Sequence, residues 1–146
     1  MSDFRRLSDS VMASPQISLA DLQQAYADGV RLVINNRPDG EDPGQLPGAE
    51  VEAAAHAAGM DYVAIPITRS GFSGPQIQAM ADALASSSGP VLAYCRSGTR
   101  STLLWALAQA SSGVDPEELS MAAAQAGYDV APVRAMMDIL AGADKA

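Results

Sequence analysis

Apolar positions along this chain follow two patterns, short continuous runs and longer stretches at helical spacing. Val30 to Asn35, Asp61 to Ile67 and Val91 to Tyr94 are runs rich in β-branched residues or bounded by turn residues, the form of buried parallel strands. Val11 to Ile17 reads as a short edge strand, because Pro15 would leave a central ladder without a donor. Ser18, with Asp21 three residues on, opens a helix that stops at Gly29. Ala49 to Ala58 forms a second helix, ended by Gly59. Ser73-Gly74-Pro75-Gln76 has the form of a capping box and starts a helix to about Ser88. In the helix from Ser101 to Ser111, Leu103, Leu104, Trp105 and Leu107 cannot share one stripe, which predicts burial on nearly all sides. Asp115-Pro116-Glu117-Glu118, again of capping-box form, begins a helix ending at Gly127, and a last helix runs from Pro132 to Ala141 with Gly142 as its stop. Residues 1–10 are polar and read as a flexible N-terminus ahead of one domain spanning 11–146.

Strands alternating with helices imply right-handed crossovers. The expected fold is a three-layer α/β protein, with a central, mostly parallel sheet of four to five strands and helices on both faces. Ligands in such sheets gather beyond the carboxyl ends of the strands. That edge brings together three loops: 36–41, 68–73 and 95–101. The one between Pro38 and Gly48 is the longest, rich in Pro, Gly and acidic residues.

Composition narrows the function classes. A net charge of −8 argues against nucleic acid and anionic membrane surfaces as partners. A single cysteine excludes an internal disulfide and fits a reducing compartment. Arg5 and Arg6 are followed by no apolar stretch, so no signal peptide is read, and no run reaches membrane-spanning length. The expected location is the cytoplasm. No Cys/His cluster has metal-ligand spacing, so neither a metal nor another cofactor is expected.

The chemistry concentrates in Gly89-Pro90-Val91-Leu92-Ala93-Tyr94-Cys95-Arg96-Ser97-Gly98-Thr99-Arg100-Ser101. A thiol at a strand-to-helix junction meets free backbone N–H groups and the positive end of the helix dipole, a setting that favours a nucleophilic thiolate. Cys95 and Arg100 are the candidate catalytic pair, and Arg96, Ser97, Gly98, Thr99 and Ser101 the candidate anion-binding loop. Arg37, Arg69, Arg96 and Arg100, four of the nine basic residues, all fall at the same edge of an acidic protein, which is how an anion pocket would use them. Arg37, Arg69 and Asp39 are therefore candidate pocket residues. Arg96 either lines the anion or points outward and serves solubility. His56 reads as a surface histidine, and Tyr128 as an anchor of the C-terminal helices.

Tyr94-Cys95-Arg96-Ser97-Gly98-Thr99-Arg100-Ser101 resembles the active-site loop of single-domain rhodaneses and, less closely, the Cys-x5-Arg loop of tyrosine and dual-specificity phosphatases. Over roughly Pro15 to Tyr128 the chain resembles the phosphatase-like domain of beta-lactamase hydrolase-like proteins. The segments that carry this are Val33-Ile34-Asn35-Asn36-Arg37-Pro38-Asp39-Gly40-Glu41, Tyr62-Val63-Ala64-Ile65-Pro66-Ile67, Pro90 to Ser101, and Ala126-Gly127-Tyr128-Asp129. The resemblance implies a phosphotyrosine-phosphatase-like architecture.

Sulfur and phosphate chemistry then compete. Four residues separate Cys95 from Arg100, one fewer than in the phosphatase pattern, and the smaller ring suits a sulfane sulfur. The resembling phosphatases often carry a general acid after the strand equivalent to Tyr62 to Ile67, where this chain has Thr68-Arg69-Ser70-Gly71. Asp39, Glu41 and Asp42, on another loop, read first as a solvated acidic turn and second as substitutes for that acid. On these grounds the expected activity is a rhodanese-like sulfur transfer from thiosulfate or a persulfide through a Cys95 persulfide to a thiol acceptor; the resemblance further implies that Ser101 hydrogen-bonds the thiolate. The alternatives are a cysteine-dependent phosphatase acting on a phosphoester through phospho-Cys95, and a non-catalytic anion- or persulfide-binding module. Related domains can be joined to a persulfide-oxidising metallo-hydrolase, which makes such an enzyme an expected partner.

Overall fold

The computed structural model describes residues 2–145, with side chains through residue 142. Five strands form one sheet in the order β1 (Arg5–Arg6), β2 (Val11–Ser14), β5 (Val91–Tyr94), β3 (Leu32–Asn35) and β4 (Asp61–Ala64). All neighbouring pairs are parallel except β1 with β2. The sheet is thus mixed, with helices on both faces, as the alternating pattern predicts.

Side-chain alternation along the strands divides the core. Leu32, Ile34, Val91 and Ala93 point into one cluster, and Val33, Leu92 and Tyr94 into the other. The second cluster is closed by α1 (Leu19–Ala27) and α2 (Gly48–Ala58), through Leu22, Ala25, Val51 and Ala55. The first is closed by α3 (Gly74–Ser86), α4 (Thr99–Ser111), α5 (Pro116–Gln125) and α6 (Arg134–Lys145). Nine residues of α4 are buried, because the sheet, α3, α5 and α6 surround it.

The crossovers through α1 and α2 run on one face, and the return from β4 to β5 runs through α3 on the other. The winding therefore reverses around β5, and the carboxyl end of this strand, the place where such a fold binds ligands, leads directly into Cys95.

Local signals explain most boundaries. The Ser18/Asp21 and Ser73/Gln76 capping boxes are both formed. Gly59 ends α2 at φ +96°. Four expectations need correction. Within residues 1–10, where a loose terminus is expected, Arg5 and Arg6 pair antiparallel with β2 and Leu7 is buried. β2 is interior, not an edge, because it ends at Ser14 and Pro15 never enters the ladder. Asp115 caps through the Glu117 N–H, one position earlier than a capping box requires. Helix α6 runs through Gly142 to Lys145, since a helical glycine costs only about 1 kcal/mol relative to alanine.

Candidate active site

The loop after β5 turns sharply because Gly98 adopts φ +93° and serves as the N-cap of α4. That turn folds the Gly98 N–H back on Cys95, which it reaches with an N···Sγ distance of 3.1 Å. Cys95 is fully buried, and its own N–H is spent on the Ser14 carbonyl. The first-turn N–H groups of Arg100 and Ser101, like those at any helix start, have no intrahelical partner. The Thr99 N–H is held by Ser97 Oγ, whose hydroxyl donates to Thr99 Oγ1, so the exposed Ser97 and Thr99 side chains brace the turn.

Arg100 is fixed from two sides. Its Nη1 donates to Glu41 Oε2 and to the Ile67 carbonyl, both at 2.7 Å, and its Nη2 to Glu41 Oε1 at 2.8 Å. Glu41 therefore takes the end of the guanidinium fork. The Nε–H and the second Nη2 hydrogen, which share the other edge, donate to no oxygen among the described residues, and the Cys95 sulfur is the further side chain that acts on this guanidinium. Two parallel N–H groups are the arrangement that recognises a carboxylate or phosphate bidentately. Glu41 raises the Arg100 guanidinium above its ordinary value, against burial and with the Cys95 sulfur adding to the rise.

Glu41 is the hub of the site, in a role the sequence does not suggest. It is also bound by Arg37 Nε at 2.9 Å. The hydrogen bond from Arg100 holds its carboxyl down at about 2 against the upward push of burial, with Arg37 adding to the drop. A carboxyl lowered from 4.5 stabilises the fold fully above that pH, and the contribution is lost as pH falls toward about 2. Glu41→Gln is expected to cost about 2 kcal/mol at neutral pH, after discounting for partial exposure. The gap between wild type and variant should close between pH 4.5 and 2, as read from denaturation midpoints across that window.

The other candidates separate. Arg37 is buried, and the cavity it borders, with Ile17, Asp42 and Leu46, does not include Cys95; its Nη1 donates to Gln16 Oε1 at 2.9 Å and its Nη2 to Asp42 Oδ2 at 2.7 Å, so it braces the loop that carries Glu41. Asp39 Oδ1 accepts the Gly48 N–H at 2.9 Å and caps the start of α2. Arg96 points outward, two-thirds exposed, with its Nε 3.7 Å from Asp42 Oδ2. Arg69 is exposed and has no hydrogen-bond partner among the described residues. Ser101 is buried, but its hydroxyl proton goes to Asn36 Oδ1 at 2.7 Å rather than to the sulfur. Asn36 in turn donates to the Ile65 carbonyl, tying α4 to the loops after β3 and β4.

Tyr128 is a second residue whose role the sequence hides. Its hydroxyl donates to the Ser97 carbonyl at 3.2 Å, so it anchors the cysteine loop rather than only the C-terminal helices. Burial raises its phenol, while Arg5, whose guanidinium lies 5.2 Å from the ring centroid, opposes the rise. No group of three or more His, Cys, Asp or Glu that could hold a metal occurs among the described residues. No described helix is long and apolar enough to cross a membrane.

A buried cysteine under a strand-to-helix turn, with an arginine held beside it, defines a cysteine-loop domain of the phosphatase-like class. Residues 3–112 match the family described as "Beta-lactamase hydrolase-like protein, phosphatase-like domain", and the chain belongs to that family. A beta-lactamase hydrolase-like protein of Agrobacterium fabrum is 38% identical over 108 residues, covering 74% of this chain and 25% of that protein. The chain thus spans about a quarter of the length of this relative. The crystal structure of a candidate phosphatase from Neisseria meningitidis is 29% identical, with a TM-score of 0.83 over 96% of this chain and 99% of that one. P. aeruginosa TpbA, at 17% identity and a TM-score of 0.68 over 99% and 92% of the two chains, shares the fold.

Proposed function

We propose that this domain is a cysteine-dependent phosphatase acting through phospho-Cys95, the reading that stood second to sulfur transfer on the sequence alone. The observation that carries it is the guanidinium of Arg100, clamped end-on by Glu41 and Ile67 with its Nε/Nη2 edge left for an oxyanion beside the Cys95 sulfur. The likeness to the N. meningitidis candidate phosphatase over almost the whole chain supports it.

The Cys95 sulfur, as thiolate, attacks phosphorus in line with the departing oxygen; the S–P bond forms as the P–O bond breaks. The loop N–H groups and the free edge of Arg100 stabilise the charge on the equatorial oxygens. Water then displaces phosphate from sulfur and regenerates the thiolate. Glu41 acts through Arg100, as a positioning residue.

Sulfane transfer remains the second reading. It is favoured by the four-residue spacing from Cys95 to Arg100, which narrows the ring around the sulfur, and by the lack of a carboxyl group in 68–73. Acid-quenched mass spectrometry on the purified chain separates the two. After treatment with dinitrophenyl phosphate, Cys95 is expected to carry a phosphoryl group. A Cys95 persulfide after thiosulfate, with no phosphoryl adduct from the phosphate ester, would replace the phosphatase reading by the sulfur one.

A further inference from the structure

Every carboxyl group of the loop beside Cys95 is already committed. Asp39 Oδ1 holds the Gly48 N–H. Asp42 Oδ2 is bound by Arg37 and approached by Arg96. Both oxygens of Glu41 are engaged by Arg100, and one by Arg37 as well. The segment 68–73 on the other side of the site contains no carboxyl group. Asp129, next to Tyr128, accepts the Ala131 N–H in its own turn. The Tyr128 hydroxyl donates to the Ser97 carbonyl. None of these carboxyl groups hydrogen-bonds to residues 95–99, so none is held at the cysteine loop to hand a proton to a departing oxygen. Glu41 is the carboxyl most closely bound to Arg100, and the two guanidiniums that hold it at about 2 keep it ionised at neutral pH.

A general acid is worth about 10²–10⁴-fold where the leaving group is basic. An alkoxide, or a phenoxide whose conjugate acid has a pKa of about 10, as in tyrosine, needs that proton. A carboxylate, with a conjugate acid near 4, does not. We propose that this site selects phosphoryl groups carried on leaving groups that depart as stable anions, acyl phosphates above all, and discriminates against phosphotyrosine and alkyl phosphates. The proposal rests on the phosphatase reading. In the first step the acyl phosphate gives its phosphoryl group to the Cys95 thiolate, and the carboxylate leaves with the electron pair of the broken P–O bond. In the second, water adds to phosphorus, the S–P bond breaks toward sulfur, and the water's protons leave with the phosphate.

The test compares Cys95 phosphorylation rates in the purified chain, by rapid acid quench, with Cys95→Ser as the background. Substrates are acetyl phosphate, phosphotyrosine and aryl phosphates running from dinitrophenyl to phenyl. The aryl rates are expected to fall about tenfold per pKa unit of the leaving phenol, the dependence of unassisted departure, and acetyl phosphate should exceed phosphotyrosine by at least about 10³-fold. A shallow series, with phosphotyrosine within about tenfold of the dinitrophenyl ester, overturns this selectivity and leaves the phosphatase reading standing. No phosphorylation by any of these substrates overturns both.

Discussion

Cys95→Ser is expected to remove phosphoryl transfer while leaving the fold and the anion site in place. A serine hydroxyl can accept the Gly98 N–H that now reaches the sulfur, and it is smaller than the thiol it replaces, so the buried position tolerates it. An alcohol at neutral pH is a far poorer nucleophile than a thiolate. Removing a nucleophile in this way costs turnover by about 10⁴-fold or more. Inorganic phosphate binding, measured by calorimetry, should stay within about threefold of wild type, because the loop N–H groups and Arg100 are untouched. Loss of turnover with binding retained separates an enzyme from a module that merely holds anions. Undiminished turnover in the variant would remove Cys95 from the mechanism.

Gly98→Ala is expected to disrupt both stability and activity. Its φ of +93° lies in the region that side chains strain to adopt. A Cβ there would stand 2.1 Å from the Tyr128 hydroxyl and 2.8 Å from Cζ of the ring. The ring is buried, so it cannot swing clear, and the turn must move instead. Strain and overlap together should lower stability by about 2–4 kcal/mol. Displacing the Gly98 N–H from the sulfur by an ångström should cost activity about 10²-fold. Tyr128→Phe in the same chain removes the shorter contact but not the longer one, so it should restore part of the stability. Thermal midpoints and turnover on the single and double variants check both claims. An alanine variant as stable as wild type would mean that the turn has room to relax.

How much of this was legible in the sequence depended on distance along the chain. Strand β5, the cysteine loop and the start of α4 are contiguous, so their chemistry could be read as one phrase. The capping boxes at Ser18 and Ser73 are signals within a single helical turn, and both are formed. Burial of α4 was legible too, because Leu103 to Leu107 leave no polar face. The two-residue strand β1 is too short to show a period, and so its hairpin was hidden.

The Arg37–Glu41–Arg100 cluster was hidden for another reason. Glu41 and Arg100 are 59 residues apart, and only the pairing of β3 beside β5 brings their loops together. The clustering of arginines at one edge was a real signal, but its meaning was divided. Arg100 is clamped by Glu41 and the Ile67 carbonyl on one side only, Arg37 is consumed in holding Glu41, and Arg96 and Arg69 stay in solvent. Charge type predicts location at an edge. The role depends on which partner arrives first, and that is a property of the tertiary fold. The preference for sulfur over phosphate leaned on loop length and on the missing carboxylate after β4, and neither reveals how the guanidinium is oriented.

The enclosure of α4 has a consequence for how the site behaves over time. Amides in a helix walled in by the sheet and three other helices exchange with solvent only when most of the molecule opens. The nucleophile loop is thus rooted in the segment that yields last, while its outer rim, with Ser97 and Arg96, stays solvated. A substrate meets a base that is already set, so little of its binding energy is diverted to arranging the protein.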